Sequence, residues 1–329
     1  MHNNLLRHRV LVAFAVASVC LGARPAAAQT AVQVDPAIPS YKPVGGISGN
    51  LSSIGSDTMN NLMTFWAEGF KKFYPNVHVQ VEGKGSSTAP PALIEGTAQL
   101  GPMSRPMRGN EIDAFEAKFG YKPTQLRTSL DSLAVFVHKD NPIKGLTLAQ
   151  IDGIFSKTFR CKGSEVKTWG EVGADGAWAT APISLYGRNS ASGTYGFFKE
   201  HALCNGDYKD TVKEQPGSAS VVQGVSEDRN GIGYSGIGYA TSGVRAVPLA
   251  AKQGDPYQDA TYQNVIAGKY PLSRFLFIYV NRPPGQQMDP LTKEFCKFIF
   301  SKEGQEVVTK DGYYPLPAAV VQEEVKKFE

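Results

Sequence analysis

RNSASGT (188–194) lies between an apolar, strand-like stretch, APISLY (181–186), and an aromatic, helix-like one, YGFFKEHAL (195–203). A strand feeding directly into a helix is the building unit of an α/β fold. At this junction the chain sets one fixed positive charge, two serines, a glycine and a threonine. The first turn of a helix leaves backbone N–H groups unpaired and carries the positive end of the helix dipole. Short hydroxyls there serve either as an ordinary N-cap or as donors to an oxyanion. A cap needs no cation, so Arg188 favours the anion.

The same plan occurs twice more, in SIGSDTM (53–59) and EGKGSSTAPP (82–91). Between them, TMNNLMTFWAEGFKKFYP (58–75) places Met59, Leu62, Met63, Trp66, Phe70 and Phe73 on one helical face, and Pro75 ends the helix. NVHVQVEG (76–83) then alternates Val77, Val79 and Val81 as a half-buried strand. GNEIDAFEAKFG (109–120) reads as a helix, LDSLAVFVHKD (130–140) as a strand and TLAQIDGIFSKTF (147–159) as a helix. SASVVQGVSED (218–228) adds a helix, followed by two short glycine-rich strands. RFLFIYVN (274–281) is a continuous apolar strand, and one helix is expected over residues 290–312. This alternation predicts an α/β protein with largely parallel sheets covered on both faces. Three junctions, each carrying more hydroxyls than a cap uses, point to one shared oxyanion site.

The chain opens MHNNLLRHRVLVAFAVASVCLGARPAAAQT (1–30), a basic start, an apolar run and small residues, as in a signal peptide cleaved after Ala28. The apolar run is too short to span a bilayer comfortably. Cys20 suggests a lipid anchor, but Val19 stands where a small residue would precede it. Residues 29–46, rich in Pro and Gly, read as a flexible lead-in. At 42% hydrophobic and 19% charged, the chain has the composition of a globular protein with a sizeable core. Loss of Arg7, Arg9 and Arg24 would reduce the formal charge of +4 to +1 (4 − 3). With no run of Lys or Arg, nucleic-acid and membrane partners are not expected.

Cys296, on the apolar side of the last predicted helix, reads as a buried small hydrophobe. Cys161 and Cys204 lie in loop-like sequence and, in an exported chain, are expected to form a disulfide. No His or Cys stands at zinc-ligand spacing nearby, and no metal or cofactor is expected. GIGYSG (231–236) fits a dinucleotide glycine pattern but opens no predicted helix. His78, His138 and His201 show no Ser/His/Asp layout, so an enzyme is not expected.

GSDTMNNLM, GKGSSTAPPAL, GPMSRPM, AVFVHKDNPIKGLT, GRNSASGTYGFFKE, EQPGSASVVQ, GIGYSGIGY and YPLSRFLFIYVN follow one another in the chain. In these strings, from about Ile47 to the C-terminus, the sequence closely resembles the periplasmic phosphate-binding proteins of ABC transporters. The resemblance implies a two-lobe periplasmic-binding-protein fold, type II-like, with an anion cleft between lobes joined by two hinge crossings. Lobe I would comprise residues 47–132 and 273–329, and lobe II residues 133–272. Carried over position by position, it implies phosphate ligands at Thr58, the N–H of Met59, Ser86, Arg188, Ser192, the N–H of Gly193, and Thr194.

The sequence departs from well-known members in GPMSRPM, where they carry an aspartate that accepts the proton of phosphate. Ser104 and Arg105 stand there instead, and Ser104 joins the candidate phosphate-binding residues without taking the proton-accepting part. The role then passes to Asp131 in SLDSLAVFV, with Asp57 as second candidate. Arg188 is expected to be the only cationic side chain on the anion. The function implied is a monomeric receptor that hands inorganic phosphate to the membrane permease of an ABC transporter. Two other readings use similar residues: a receptor for sulfate or molybdate, and a secreted phosphate-ester hydrolase.

Overall fold

The structure is a computed structural model that describes residues 32–329. The expected signal peptide, 1–28, lies outside the described residues. In chain order the elements are β1 (Gly49–Ile54), α1 (Asn60–Lys71), β2 (Val77–Glu82), α2 (Ala89–Glu95), β3 (Gly101–Met103) and α3 (Gly109–Phe119). They continue with β4 (Thr124–His138), β5 (Leu146–Thr147), α4 (Leu148–Phe155), β6 (Ser184–Arg188), α5 (Gly193–His201), β7 (Lys213–Gln215) and α6 (Ser218–Glu227). The last are β8 (Gly231–Gly236), β9 (Val244–Ala246), β10 (Leu249–Ala250), α7 (Tyr262–Ile266), β11 (Ser273–Val280), α8 (Pro290–Ile299), α9 (Lys302–Lys310) and α10 (Ala318–Val325).

The expected α/β alternation is present, but the main, seven-stranded sheet is mixed. β1 pairs β2 in parallel, and β6 pairs both β7 and β8 in parallel. Around β4 every pairing is antiparallel: with β11 through Ser132, and with β8 and β9 beyond it. β4 is much longer than the apolar run that signalled it, because its first half begins in the polar segment TQLRTS (124–129). It changes partner between Ser132, opposite Ser273, and Leu133, opposite Gly236. Tertiary pairing there overrides a weak local β signal.

The helices bury the faces that their spacing predicts. Leu62, Met63, Trp66 and Phe70 of α1 are buried, and Phe70 meets Phe295 of α8 edge-on at 5.2 Å between ring centres. The single helix expected over 290–312 is two helices. Gly304, in the first turn of the second, packs so close to the first that an added Cβ would lie 2.0 Å from the Phe298 carbonyl oxygen. Ser301 caps that second helix, its Oγ accepting from the Gly304 N–H. The two short strands expected after 218–228 are β8 and β9, with a 3-10 turn at Ile237–Tyr239 between them.

The lead-in is not loose along its described part. Ile38 and Tyr41 are buried, and the Tyr41 hydroxyl donates to Glu294 while sharing a hydrogen bond with Tyr74. The Ala318 N–H donates to Asp35, and the Lys302 N–H to the Pro39 carbonyl. Pro and Gly signal missing periodicity, and an extended strap tied down by side chains has none either.

Cys161 and Cys204 form a disulfide with their Cα atoms 5.2 Å apart. Cys296 is buried and free, and burial pushes its thiol up to about 12. No helix among the described residues is long and apolar enough to cross a membrane.

Candidate anion site

All three hydroxyl-rich junctions meet at one place. Thr58 follows β1 in a 3-10 turn, Ser86 follows β2 in another, and Thr194 lies in the first turn of α5. The Oγ1 atoms of Thr58 and Thr194 are 2.8 Å apart, although 136 residues separate them. Ser86 Oγ is 3.2 Å from Ser104 Oγ and accepts from the Ser104 N–H. Ser104 Oγ in turn lies 3.4 Å from Thr194 Oγ1, so four buried hydroxyls form one continuous set.

Glycine is required at two positions here. A Cβ on Gly193 would fall 2.2 Å from Ser86 Oγ and 2.7 Å from Ser104 Oγ. Gly85 adopts φ +128° and packs against the Ala191 carbonyl, where a Cβ would come within 2.5 Å. Ser87 fastens the same contact by donating from its N–H and its Oγ to that carbonyl. Ser192 is the cap of α5, its Oγ accepting from the N–H groups of Thr194 and Tyr195. The capping reading therefore holds for Ser192.

Arg188 ends β6 with its guanidinium buried. Nη1 donates to Ser218 Oγ at 2.7 Å, Nη2 to the Pro216 carbonyl at 3.3 Å, and Nη2 lies 3.2 Å from Asp57. Nε is buried without a partner among the described residues. Burial lowers the pKa of this guanidinium, while the charge of Asp57 raises it. Its backbone N–H donates to the hydroxyl of Tyr234, which stacks on Phe198 at 4.0 Å. The glycine-rich GIGYSG segment is thus β8, a buried strand behind the arginine.

Asp131 and Arg188 have neighbours that the sequence did not announce. Asp131 is buried beneath the hydroxyls, but its Oδ1 accepts from the Ile237 N–H and its Oδ2 from Arg274 Nε at 2.8 Å. It is engaged by a cation rather than facing an anion unopposed. Arg188 is also not the only cation of the cluster, because Arg274 Nη2 donates to Thr194 Oγ1 at 3.0 Å. Asp57 accepts from the Ser218 N–H at 2.8 Å, across 161 residues of sequence. Arg274 and Ser218 were missed as site residues. An arginine opening an otherwise apolar strand was the legible signal for the first, and Ser218 looked like any helix-opening serine.

Among the described residues, no three His, Cys, Asp or Glu gather as metal ligands. The cluster supplies neutral hydroxyl donors, backbone N–H groups and two guanidinium groups, each balanced by a carboxylate. That chemistry suits a small oxyanion.

Comparison with known proteins identifies the family. A family model described as a PBP superfamily domain matches residues 40–303. A phosphate-binding protein PstS of Pseudomonas aeruginosa is 58% identical over 302 residues, covering 92% of this chain and 94% of that one. The chain belongs to the PstS family of phosphate-binding proteins. It has the two-lobe α/β fold of that family. Among solved structures, a candidate phosphate ABC transporter substrate-binding protein from Clostridium perfringens, with bound phosphate, superposes with a TM-score of 0.69. It is 28% identical, and the match covers 82% of this chain and all of that one. An ABC-type phosphate transport receptor from Vibrio cholerae gives a TM-score of 0.63 at 23% identity, over 81% of this chain and all of that one, which extends the likeness of fold.

Proposed function

We propose that this PstS-family chain is an exported receptor that binds inorganic phosphate in the cluster and delivers it to the permease of an ABC transporter. The observation that carries the reading is the convergence of three strand-to-helix junctions on one buried set of hydroxyls flanked by two guanidinium groups. The ligands are Thr58, the Met59 N–H, Ser86, Ser104, Arg188, the Gly193 N–H and Thr194, with Ser192 holding the helix that carries the last two. Lobes of residues 47–132 with 273–329, and of 133–272, hinge where β4 exchanges β11 for β8. The receptor acts as a monomer.

A micromolar Kd requires about 8 kcal/mol. Charged hydrogen bonds contribute roughly 1.5–3 kcal/mol each, so these donors suffice after ordering costs. Ser192→Ala removes both a cap and the order it imposes on Gly193 and Thr194. It weakens phosphate binding by about 1–2 kcal/mol, roughly 5- to 30-fold, as read by calorimetry.

Phosphate near neutral pH keeps a proton that sulfate lacks. A carboxylate accepts from that proton but repels sulfate. Asp57 is the better placed of the two candidates, because only its Oδ1 is held by Ser218 and Arg188. Both oxygens of Asp131 are taken. Competition calorimetry tests the reading: phosphate and arsenate bind, and sulfate is weaker by at least tenfold. Preferential binding of sulfate would overturn it. A hydrolase needs a base beside its nucleophile, and the partners of these hydroxyls are other hydroxyls, main-chain groups and Arg274. Incubation with an aryl phosphate should release no phenol.

A further inference from the structure

We propose that Arg274 is a positioning residue for anion binding: it orients the Thr194 hydroxyl as a donor while Asp131 balances its charge. The inference rests on the phosphate-receptor reading and concerns how that site is set. Arg274 is the second residue of β11 and stands opposite Asp131 of β4 in the ladder, where two neighbouring strands bring the side chains together. Its guanidinium is almost wholly buried. The group reaches three segments at once: Nε to Asp131, Nη1 to the Ser104 carbonyl at 2.9 Å, and Nη2 to Thr194 Oγ1 at 3.0 Å. The Phe197 ring covers it, 5.3 Å from centre to guanidinium carbon.

The direction of the bond to Thr194 follows from donor inventory. A guanidinium has no acceptor, so Thr194 Oγ1 must receive this bond. One lone pair of the hydroxyl is then occupied, and its single proton points away from Arg274. Within reach of that proton are Thr58 Oγ1 at 2.8 Å and Ser104 Oγ at 3.4 Å, the hydroxyls of the anion cluster. A hydroxyl that accepts from a cation is a stronger donor in turn. The same guanidinium fixes the segment carrying Ser104 through its carbonyl. A lone cation here would attract any anion, but Asp131 cancels its charge. The preference then depends on oriented neutral donors more than on net charge.

The alternative is a buried ion pair that only holds β4 to β11. Calorimetric titration with inorganic phosphate separates the two when combined with thermal unfolding. Arg274→Gln should raise the phosphate Kd by 10- to 100-fold, and Thr194→Val should raise it similarly. Because Arg274 acts through Thr194, the double variant should bind within threefold of the weaker single variant. Arg274→Lys keeps a charge beside Asp131 but cannot reach Ser104 and Thr194 together. It should therefore recover the melting temperature without recovering affinity, and it carries the test if the Gln variant fails to fold. Multiplying losses in the double variant, wild-type affinity in Arg274→Gln, or full recovery of affinity by Lys would each overturn the proposal. If the wild-type protein failed to bind phosphate, the receptor reading itself would fall, an outcome read from the wild-type titration alone.

Discussion

Arg188→Ala weakens phosphate binding by about 2–4 kcal/mol, roughly a 30- to 700-fold rise in Kd, when wild type and variant are titrated side by side. The buried fork supplies several donors in fixed geometry, and Nε alone lacks a protein partner. Its removal also leaves Asp57 without the cation 3.2 Å away. That bare carboxylate then faces any incoming oxyanion, so repulsion adds to the lost attraction. Arg188→Lys should recover only a small part, since an ammonium cannot reproduce the planar fork. Unchanged phosphate affinity in Arg188→Ala would place the binding site elsewhere in the molecule.

The second large effect is on stability. Replacing Cys161 and Cys204 together by alanine should cost about 4 kcal/mol in the chain-entropy account, less any relief of native strain. The bond closes a loop of sequence separation 43. For a body of about 300 residues this lowers the melting temperature by roughly 6 °C. Phe159, Lys162, Cys204 and Asn205, the non-glycine residues with positive φ among those described, all lie in the two bridged loops. These left-handed conformations are unfavourable for L side chains, so the loops depend on the cross-link and on the pairing of Ser156 with Tyr208 to hold them. A melting temperature unchanged in the double alanine variant would show that the surrounding hydrogen bonds suffice. Thiol counting offers a direct check on the processed protein, from which Cys20 leaves with residues 1–28: one reactive thiol, Cys296, and only after unfolding.

The anion cluster was legible in its parts and illegible in its connections. SIGSDTM, EGKGSSTAPP and RNSASGT each announce a helix start with surplus hydroxyls, because capping chemistry is local and leaves a short-range pattern. Resemblance to a family then assigned them a common ligand. Neither source placed Arg274 on Thr194, 80 residues away, or Asp131 on Arg274, 143 residues away. An aspartate within a strand looks the same whether it faces a ligand or a neighbouring strand's arginine. Its fate depends on which strand pairs beside it and in what register.

What the sequence by itself determined are the features set by spacing of a few residues: the α/β alternation, the buried face of α1, the three junctions and the two loop cysteines able to pair. Tertiary structure alone decided which half of β4 pairs with which partner, that 290–312 breaks at Ser301, and that the proline-rich lead-in is tied down through Tyr41. It alone set a second guanidinium under the hydroxyls. The reason is that propensity and periodicity act along the chain. Burial, by contrast, is shared among segments far apart in sequence, and a buried charge finds its partner only once the strands carrying both have met.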